Sequence, residues 1–368
     1  MKIAFFHQLH KGGARRATNE FAQQLKKLGH RVDLFAVDTG EKVEERLFYN
    51  EINYYKFYPR KWSGHDWKVR LYKDTAELIR VFLLDKKISR DIEARSYDLA
   101  FVSASDFIES PFILRFLKIP KFFYCHDPYY RIIYEENLFN KTGVSRIKLF
   151  YEQINRFFRK HIDISNIKNA DYIIFNSQFT KKLFENTYKI LGEVSYVGVN
   201  TSYFKPINKK RDIDLLYIGS HEFLDGYKLF KDVIKNVKQD VKIKEVLFEN
   251  EWLSNTQLLD LYGRSKILVA TAFKEPLGLV PLEAMACGAV VVAVDDGAHK
   301  ETVVNNQTGF VVKDNPKNMA EKINWLLDNP KMLRKMSLNA RKYVQANWNW
   351  DKRGKELESL LIEKLNLK

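Results

Sequence analysis

Glu275 and Glu283 stand with seven residues between them in the string E-P-L-G-L-V-P-L-E, which runs directly into A-M-A-C-G. Ionised carboxylates are fixed hydrogen-bond acceptors, the groups that a hydroxyl-rich ligand needs. The string lies between two apolar runs, Lys266 to Phe273 and Ala289 to Val294, that read as buried strands flanking a short helix. Pro281 suits the first turn of that helix and Gly288 its end. Glu275 is then expected in the loop and Glu283 in the opening turn. The backbone N–H groups of Leu277, Gly278, Leu279 and Val280, with the positive end of the helix dipole, are expected to point at the same place. Amide donors suit phosphate oxygens and carboxylates suit hydroxyls, so the pattern points to a sugar carried on a nucleoside diphosphate. Two plainer readings stand beside it. The pair could be an exposed loop carboxylate and a dipole-favoured helix residue, or the acid and nucleophile of a glycosidase, which leaves the amide cluster without a purpose.

These groups need a scaffold. Strand-length apolar patterns recur at Lys2 to Leu9, Arg31 to Val37, Asn53 to Tyr58, Tyr97 to Ser103, Lys121 to Cys125, Asp171 to Asn176 and Val194 to Val199. Helix-length stretches separate several of them, notably Arg16 to Leu28, Lys68 to Leu84 and Arg146 to Ile162. Such alternation predicts a parallel sheet with helices on both faces, a Rossmann-like domain. Phe204 to Asp212, polar and holding Pro206, reads as a linker, and a second α/β series starts at Asp214. A chain of 368 residues is too long for one typical core. The expected division is 1–205, 206–345 and a C-terminal amphipathic helix over 346–368, with ligands beyond the carboxyl ends of the strands.

Hydrophobic residues make up 45% of the chain against 29% charged, enough to pack two cores and too many for a disordered chain. Its apolar runs fall well short of the ~20 residues that span a bilayer. M-K-I-A-F-F-H-Q reads as a first strand rather than a signal peptide, so a cytoplasmic location is expected. Cys125 and Cys287 lie in apolar segments and read as buried free thiols, and no Cys/His spacing suggests zinc. The net charge of +15 implies an anionic partner. Lys56 to Lys73 and Arg146 to Lys160 interleave aromatics with bases, as in Y-Y-K-F-Y-P-R-K-W and R-F-F-R-K. An anionic membrane surface with peripheral attachment fits that pattern, as does a merely solvated face. No nucleic-acid-binding motif is present, and nucleic acid is not an expected partner.

Three further stretches carry candidate site residues. H-K-G-G-A-R-R places Gly12 and Gly13 between the first strand and a helix, where the backbone can approach a phosphate closely. His126 ends the strand K-F-F-Y-C-H-D-P, with Asp127 as a hydrogen-bond partner or turn former before Pro128. N-S-Q-F-T-K-K reads as a strand-to-helix turn with Ser177 as N-cap. Together with Q-L-L-D-L-Y, the E-x7-E string, A-M-A-C-G, D-D-G-A-H-K-E and N-Q-T-G-F in that order, these resemble the retaining family 4 glycosyltransferases of GT-B fold. The resemblance covers nearly the whole chain and is strongest from Gln257 to Phe310. It implies two Rossmann-like domains facing a central cleft, the first binding acceptor and the second donor, with the last helix crossing back to the N-terminal domain. It also implies glycosyl transfer with retained configuration from a nucleotide-diphosphate sugar to a glycan or lipid-linked acceptor, in cell-surface polysaccharide or glycolipid synthesis. Glu283 would hold ribose hydroxyls, Glu275 the donor sugar, and His126 would orient that sugar. Amides near Gly278 and Gly13 would meet the departing diphosphate. Neither an enzyme nucleophile nor a metal cofactor is implied, and Asp295 with Asp296 reads as a turn.

One departure is large. After the second domain's first strand the family usually has G-R-x-x-x-x-K-G, whose cations neutralise the diphosphate, whereas this chain has G-S-H-E-F-L-D-G from Gly219 to Gly226. Ser220 and Asp225 replace the two cations. At roughly 1.5 to 3 kcal/mol for each charged hydrogen bond, donor binding should weaken unless Lys228, His221 or Arg16 compensates. A degenerate module that binds nucleotide or glycan without turnover is therefore the second reading.

Overall fold

The computed structural model describes residues 1–38, 45–57, 67–126, 145–248 and 253–366, which form two compact units. The first comprises Met1–Asn176, Thr180–Ser195 and Gly354–Lys368. Its parallel sheet holds β1 (Lys2–Gln8), β2 (Arg31–Asp38), β3 (Glu51–Lys56), β4 (Leu99–Ser105), β5 (Lys121–Cys125), β6 (Tyr172–Phe175) and β7 (Glu193–Val194) in the order β3-β2-β1-β4-β5-β6-β7. The central strands β1, β4 and β5 are almost wholly buried, as a sheet covered on both faces requires, while the edge strand β3 is only partly covered. Phe5, Phe101 and Tyr124 form a ring stack across one face of the three central strands.

Local chemistry moves some expected boundaries. The single helix predicted over Lys68 to Leu84 is two, Trp67–Asp74 and Ala76–Glu93, because Thr75 leaves helical geometry and turns its hydroxyl onto the Leu71 carbonyl at 2.6 Å. The strand predicted over Val194 to Val199 pairs only through Glu193–Val194, and the Val199 N–H goes instead to the Trp348 carbonyl at 2.6 Å. Tyr58, Asp127 and Pro128 lie outside the described residues. The last helix, Trp350–Asn366, belongs to the first unit from Gly354 onward. Glu358 meets His30 at 2.7 Å, and Tyr172 donates to the Lys364 carbonyl at 2.8 Å. The helix thus returns to the N-terminal sheet.

The second unit comprises Ser177–Phe179 and Tyr196–Arg353. Residues 196–205, expected with the first domain, belong to it because Arg341 anchors the carbonyls of Thr201 at 2.9 Å and Phe204 at 2.8 Å. Its parallel sheet runs β12 (Gly309–Val312), β11 (Val290–Val294), β10 (Ser265–Ala270), β8 (Ile213–Gly219) and β9 (Ile243–Leu247). Leu215, Val269 and Val292 pack against Phe230 and Ile323 of the covering helices. Strand order reverses between β1 and β4 in the first unit and between β8 and β10 in the second. Loops diverge at such points and leave a crevice at the carboxyl ends. Cys125 and Cys287 are free, buried thiols.

Candidate active site

In the first unit the residues of interest follow β1, β4 and β5, which are neighbours around the reversal. Gly12 precedes the helix Gly13–Lys27 in an extended conformation, and a Cβ there would meet no atom within 4 Å. The opening amides of that helix have no intrahelical acceptor. On its second turn Thr18 reaches three groups: the Ala14 carbonyl at 3.0 Å, Ser103 of β4 at 2.9 Å and His126 Nε2 at 3.0 Å. A threonine hydroxyl has one proton. If it is given to Ala14, Ser103 and His126 must both donate, so His126 carries its proton on Nε2 and keeps Nδ1 as an acceptor. Burial, reinforced by nearby His7, holds the His126 pKa down near 3, so the ring is neutral at physiological pH. The Asn176 side chain donates to the His126 carbonyl at 2.5 Å, which gives the N-S-Q-F-T-K-K turn a supporting part. The amides of Gln178 and Phe179, which open the following helix, are taken by Glu301 at 2.9 and 2.8 Å.

Sequence reasoning missed Thr18, Ser103 and a second buried cluster. Glu45 accepts from Arg15 at 2.7 Å, Asn19 at 3.1 Å and Tyr54 at 2.5 Å, with His7 Nε2 at 3.5 Å. Burial is the largest single influence on this carboxyl and pushes its pKa up. Hydrogen bonds from His7, Arg15 and Tyr54 outweigh it and hold the group well below the usual range. Burial lowers the His7 pKa. These partners come from different elements, so no local spacing marks them.

In the second unit the loops after β8 and β10 carry the remaining candidates. Ser220 donates to the Asp225 carboxylate, and the Glu222 N–H donates back to Ser220 Oγ at 3.2 Å. The two residues that replace the family's cations therefore bind each other. Gly226 explains why the glycine spacing persists without them. Its φ is +68°, and a Cβ would lie 1.8 Å from the Thr271 carbonyl oxygen, so the glycine serves the fold and not the ligand. Phe223, 68% exposed in the same loop, stacks on Phe273 with ring centres 5.7 Å apart. Lys228 is exposed on the first turn of the helix Tyr227–Ile234.

The loop that carries Glu275 is braced at both flanks. The Lys274 N–H meets Asp296 at 2.9 Å, and the Ala298 N–H donates to the Glu275 carbonyl at 2.9 Å, which makes Asp296 a structural brace. The Glu275 carboxylate has no hydrogen-bond partner among the described residues. Gly278 caps the helix Leu279–Ala286 at φ +88°, a conformation open to glycine. Because the helix starts there, Glu283 lies at its fifth residue, one turn deeper than the opening turn expected from sequence. Glu283 is 3% exposed and accepts from Tyr262 at 3.2 Å. Burial, then the charge of Glu283, pushes the Cys287 thiol up to about 12, which makes it inert. The structure thus places Ser220 on the loop after β8, and Glu275, Leu277 and Gly278 on the loop after the adjacent β10, with Leu279, Val280 and Glu283 in the helix that follows. Gly13 and His126 belong to the other unit. Among the described residues no group of three or more His, Cys, Asp or Glu is arranged to hold a metal ion.

Comparison with known proteins agrees with this architecture. The chain matches the family description "Glycosyltransferase Family 4" over residues 11–203 and "Glycosyl transferases group 1" over 201–343. Alpha-1,3/1,6-mannosyltransferase ALG2 of Dictyostelium discoideum is 24% identical over 305 residues, covering 65% of this chain and 69% of that protein. A GDP-mannose-dependent monoacylated alpha-(1-6)-phosphatidylinositol monomannoside mannosyltransferase of Corynebacterium glutamicum is 29% identical, over 42% of this chain and 40% of its own length. The chain thus spans well under half of the second relative. Anabaena HepE, solved with UDP and glucose, superposes over 99% of this chain and 100% of its own with a TM-score of 0.68 at 16% identity, a likeness of fold.

Proposed function

The chain belongs to glycosyltransferase family 4, and from that premise we propose that it moves a sugar from a nucleotide-diphosphate donor to a glycan or lipid-linked acceptor with retained anomeric configuration. The observation that carries this reading is the buried Glu283, held by Tyr262 behind a glycine-capped helix start, with the Glu275 carboxylate, without a hydrogen-bond partner among the described residues, on the preceding loop. Glu283 takes the ribose hydroxyls and Glu275 those of the transferred sugar. The amides of Leu279 and Val280 meet the diphosphate, each good donor to a developing oxyanion contributing on the order of 3 kcal/mol. In the first unit, neutral His126 offers Nδ1 to a sugar hydroxyl and Gly13 a helix-opening amide. The first unit is read as acceptor-binding and the second as donor-binding. No metal is invoked, and activity that survives chelation would agree with that.

The name of the Corynebacterium relative, an enzyme acting on a phosphatidylinositol mannoside, supports a glycolipid product. A cell-surface polysaccharide product and a cytoplasmic place of action belong to the same proposal. UDP in the HepE structure supports a nucleotide donor. Calorimetric titration with UDP, GDP, ADP and dTDP tests the reading first. Micromolar binding of one nucleotide fixes the donor class. No binding by any of the four refutes a nucleotide-sugar donor site and leaves the non-catalytic module in its place. The configuration of the product, read by proton NMR, tests retention.

A further inference from the structure

The helix Arg146–Ile167 is amphipathic in the wrong sense for a protein surrounded by water. The side it turns inward is largely polar: Asn155, Asp163 and Asn166 are buried, and only its last turn brings isoleucine, Ile167 with Ile162 and Ile164, to the core. Asp163 accepts from the Ser110 amide at 3.0 Å, and Asn166 donates to the Ser110 carbonyl at 2.6 Å. The side it turns outward is apolar. Ile147 is 84% exposed, Phe150 64%, Ile154 41%, Phe157 59% and Phe158 60%. At about 100° per residue these five project within a stripe about 100° wide, and from Ile147 to Phe158 it runs about 17 Å along the axis.

A row of bare rings in water is unfavourable, so the stripe requires an apolar phase to receive it. Charge identifies that phase. The helix carries five Lys and Arg against two carboxylates. Both carboxylates face away from the stripe, as does Arg159, which is held by Asp74 at 2.9 Å. Asp163 is buried, and Glu152 is held by Arg70 of the neighbouring helix Trp67–Asp74 at 3.0 Å. Exposed Arg146 and Lys148 stand at the start of the stripe. Trp67, 68% exposed, sits on the neighbouring helix beside Lys68, the residue pair that favours the headgroup level of a bilayer. Among the described residues no helix is long and apolar enough to cross a membrane. We propose that the outer face of Arg146–Ile167 is a membrane-docking surface for anionic phospholipid, with its phenylalanines at the acyl boundary and its bases among the headgroups. The proposal deepens the lipid-linked acceptor reading but does not depend on donor chemistry, since docking requires no nucleotide.

Flotation of the full chain with phosphatidylcholine vesicles, with and without phosphatidylglycerol, tests it. The expected result is recovery with the anionic vesicles alone and release by salt. Phe150→Ser with Phe157→Ser should weaken partition by roughly a hundredfold, about tenfold for each ring withdrawn from the lipid. Arg146→Glu with Lys148→Glu should abolish the preference for phosphatidylglycerol, and it touches no packed residue if the first pair proves unstable. Unchanged circular dichroism and nucleotide titration in the variants would separate lost docking from lost fold. Failure of the parent chain to float, or equal flotation of both variants, would overturn the proposal. So would concentration-dependent dimerisation in sedimentation that the phenylalanine variant abolishes, because the stripe would then be a protein interface.

Discussion

Glu283→Gln isolates the charge at the centre of the proposed donor half-site. The substitution preserves volume and leaves an oxygen for Tyr262, so packing around this 3% exposed side chain should survive. What changes is the strength of the bonds to ribose. A hydrogen bond to a charged group contributes about 1.5 to 3 kcal/mol net, against about 0.5 to 1.5 for a neutral pair. Over two ribose hydroxyls the loss is about 2 to 3 kcal/mol, or roughly 30- to 150-fold in Kd for the nucleotide. The fold should respond in the opposite direction, because a buried amide is less costly to desolvate than a buried carboxylate. Thermal unfolding at or above the parent midpoint is therefore expected. Calorimetric titration of the preferred nucleotide, with a melting curve on the same sample, reads both. Affinity within twofold of the parent together with a lowered midpoint would refute the assignment, since Glu283 would then be a structural carboxylate that touches no donor.

Ser220→Arg combined with Asp225→Lys breaks the mutual Ser220–Asp225 bond and supplies the two missing cations; nucleotide binding should tighten by about tenfold to a hundredfold and become salt-sensitive, and unchanged affinity would place the diphosphate away from this loop. Thr18→Val removes the acceptor that holds the Nε2 proton of His126; kcat should fall by about tenfold or more with nucleotide Kd unchanged, and Thr18→Ser should restore it, whereas loss with both variants would mark Thr18 as packing alone. The pKa of His126 is lowered to about 3 from 6.5, so in acid the unfolded chain takes up a proton that the folded chain refuses. Its contribution is fully present above pH 6.5 and is lost as pH falls from there toward 3. His126→Gln should reduce the pH slope of chemical-denaturation stability across that window by up to about 1.4 kcal/mol per pH unit, and an unchanged slope would show that the ring already titrates in the fold.

Much of the fold was legible because its signals are local. Buried parallel strands declare themselves as apolar runs such as Val290–Val294, and the glycines and prolines around Leu279–Ala286 mark where a helix opens and stops. Glu275, Gly278 and Glu283 could be placed for the same reason, since seven intervening residues fix them on one loop-helix unit. Boundaries failed where a hydrogen bond outside the periodic pattern decided them. Thr75 breaks a helix whose periodicity looked continuous, and Val199 leaves its sheet for the Trp348 carbonyl.

The sequence by itself determined most of the elements, that two α/β units follow one another, and that Glu275, the helix-opening amides and Glu283 share one loop-helix unit. Each of these follows from periodicity and short spacing, which operate within a few residues. Tertiary structure alone decided what those residues meet. Ser220 and Asp225 appear in the chain only as missing cations, whereas folding makes them each other's partners. His126 is an unremarkable strand-end histidine until Thr18, 108 residues away, reaches its Nε2 and burial strips its charge. The phenylalanines after Arg146 read equally as a lipid-facing or a merely solvated surface, and only the buried Asn155, Asp163 and Asn166 show which side of the helix faces the protein. Protonation, pairing and exposure depend on neighbours brought together by chain reversal, and that information is absent from any local pattern.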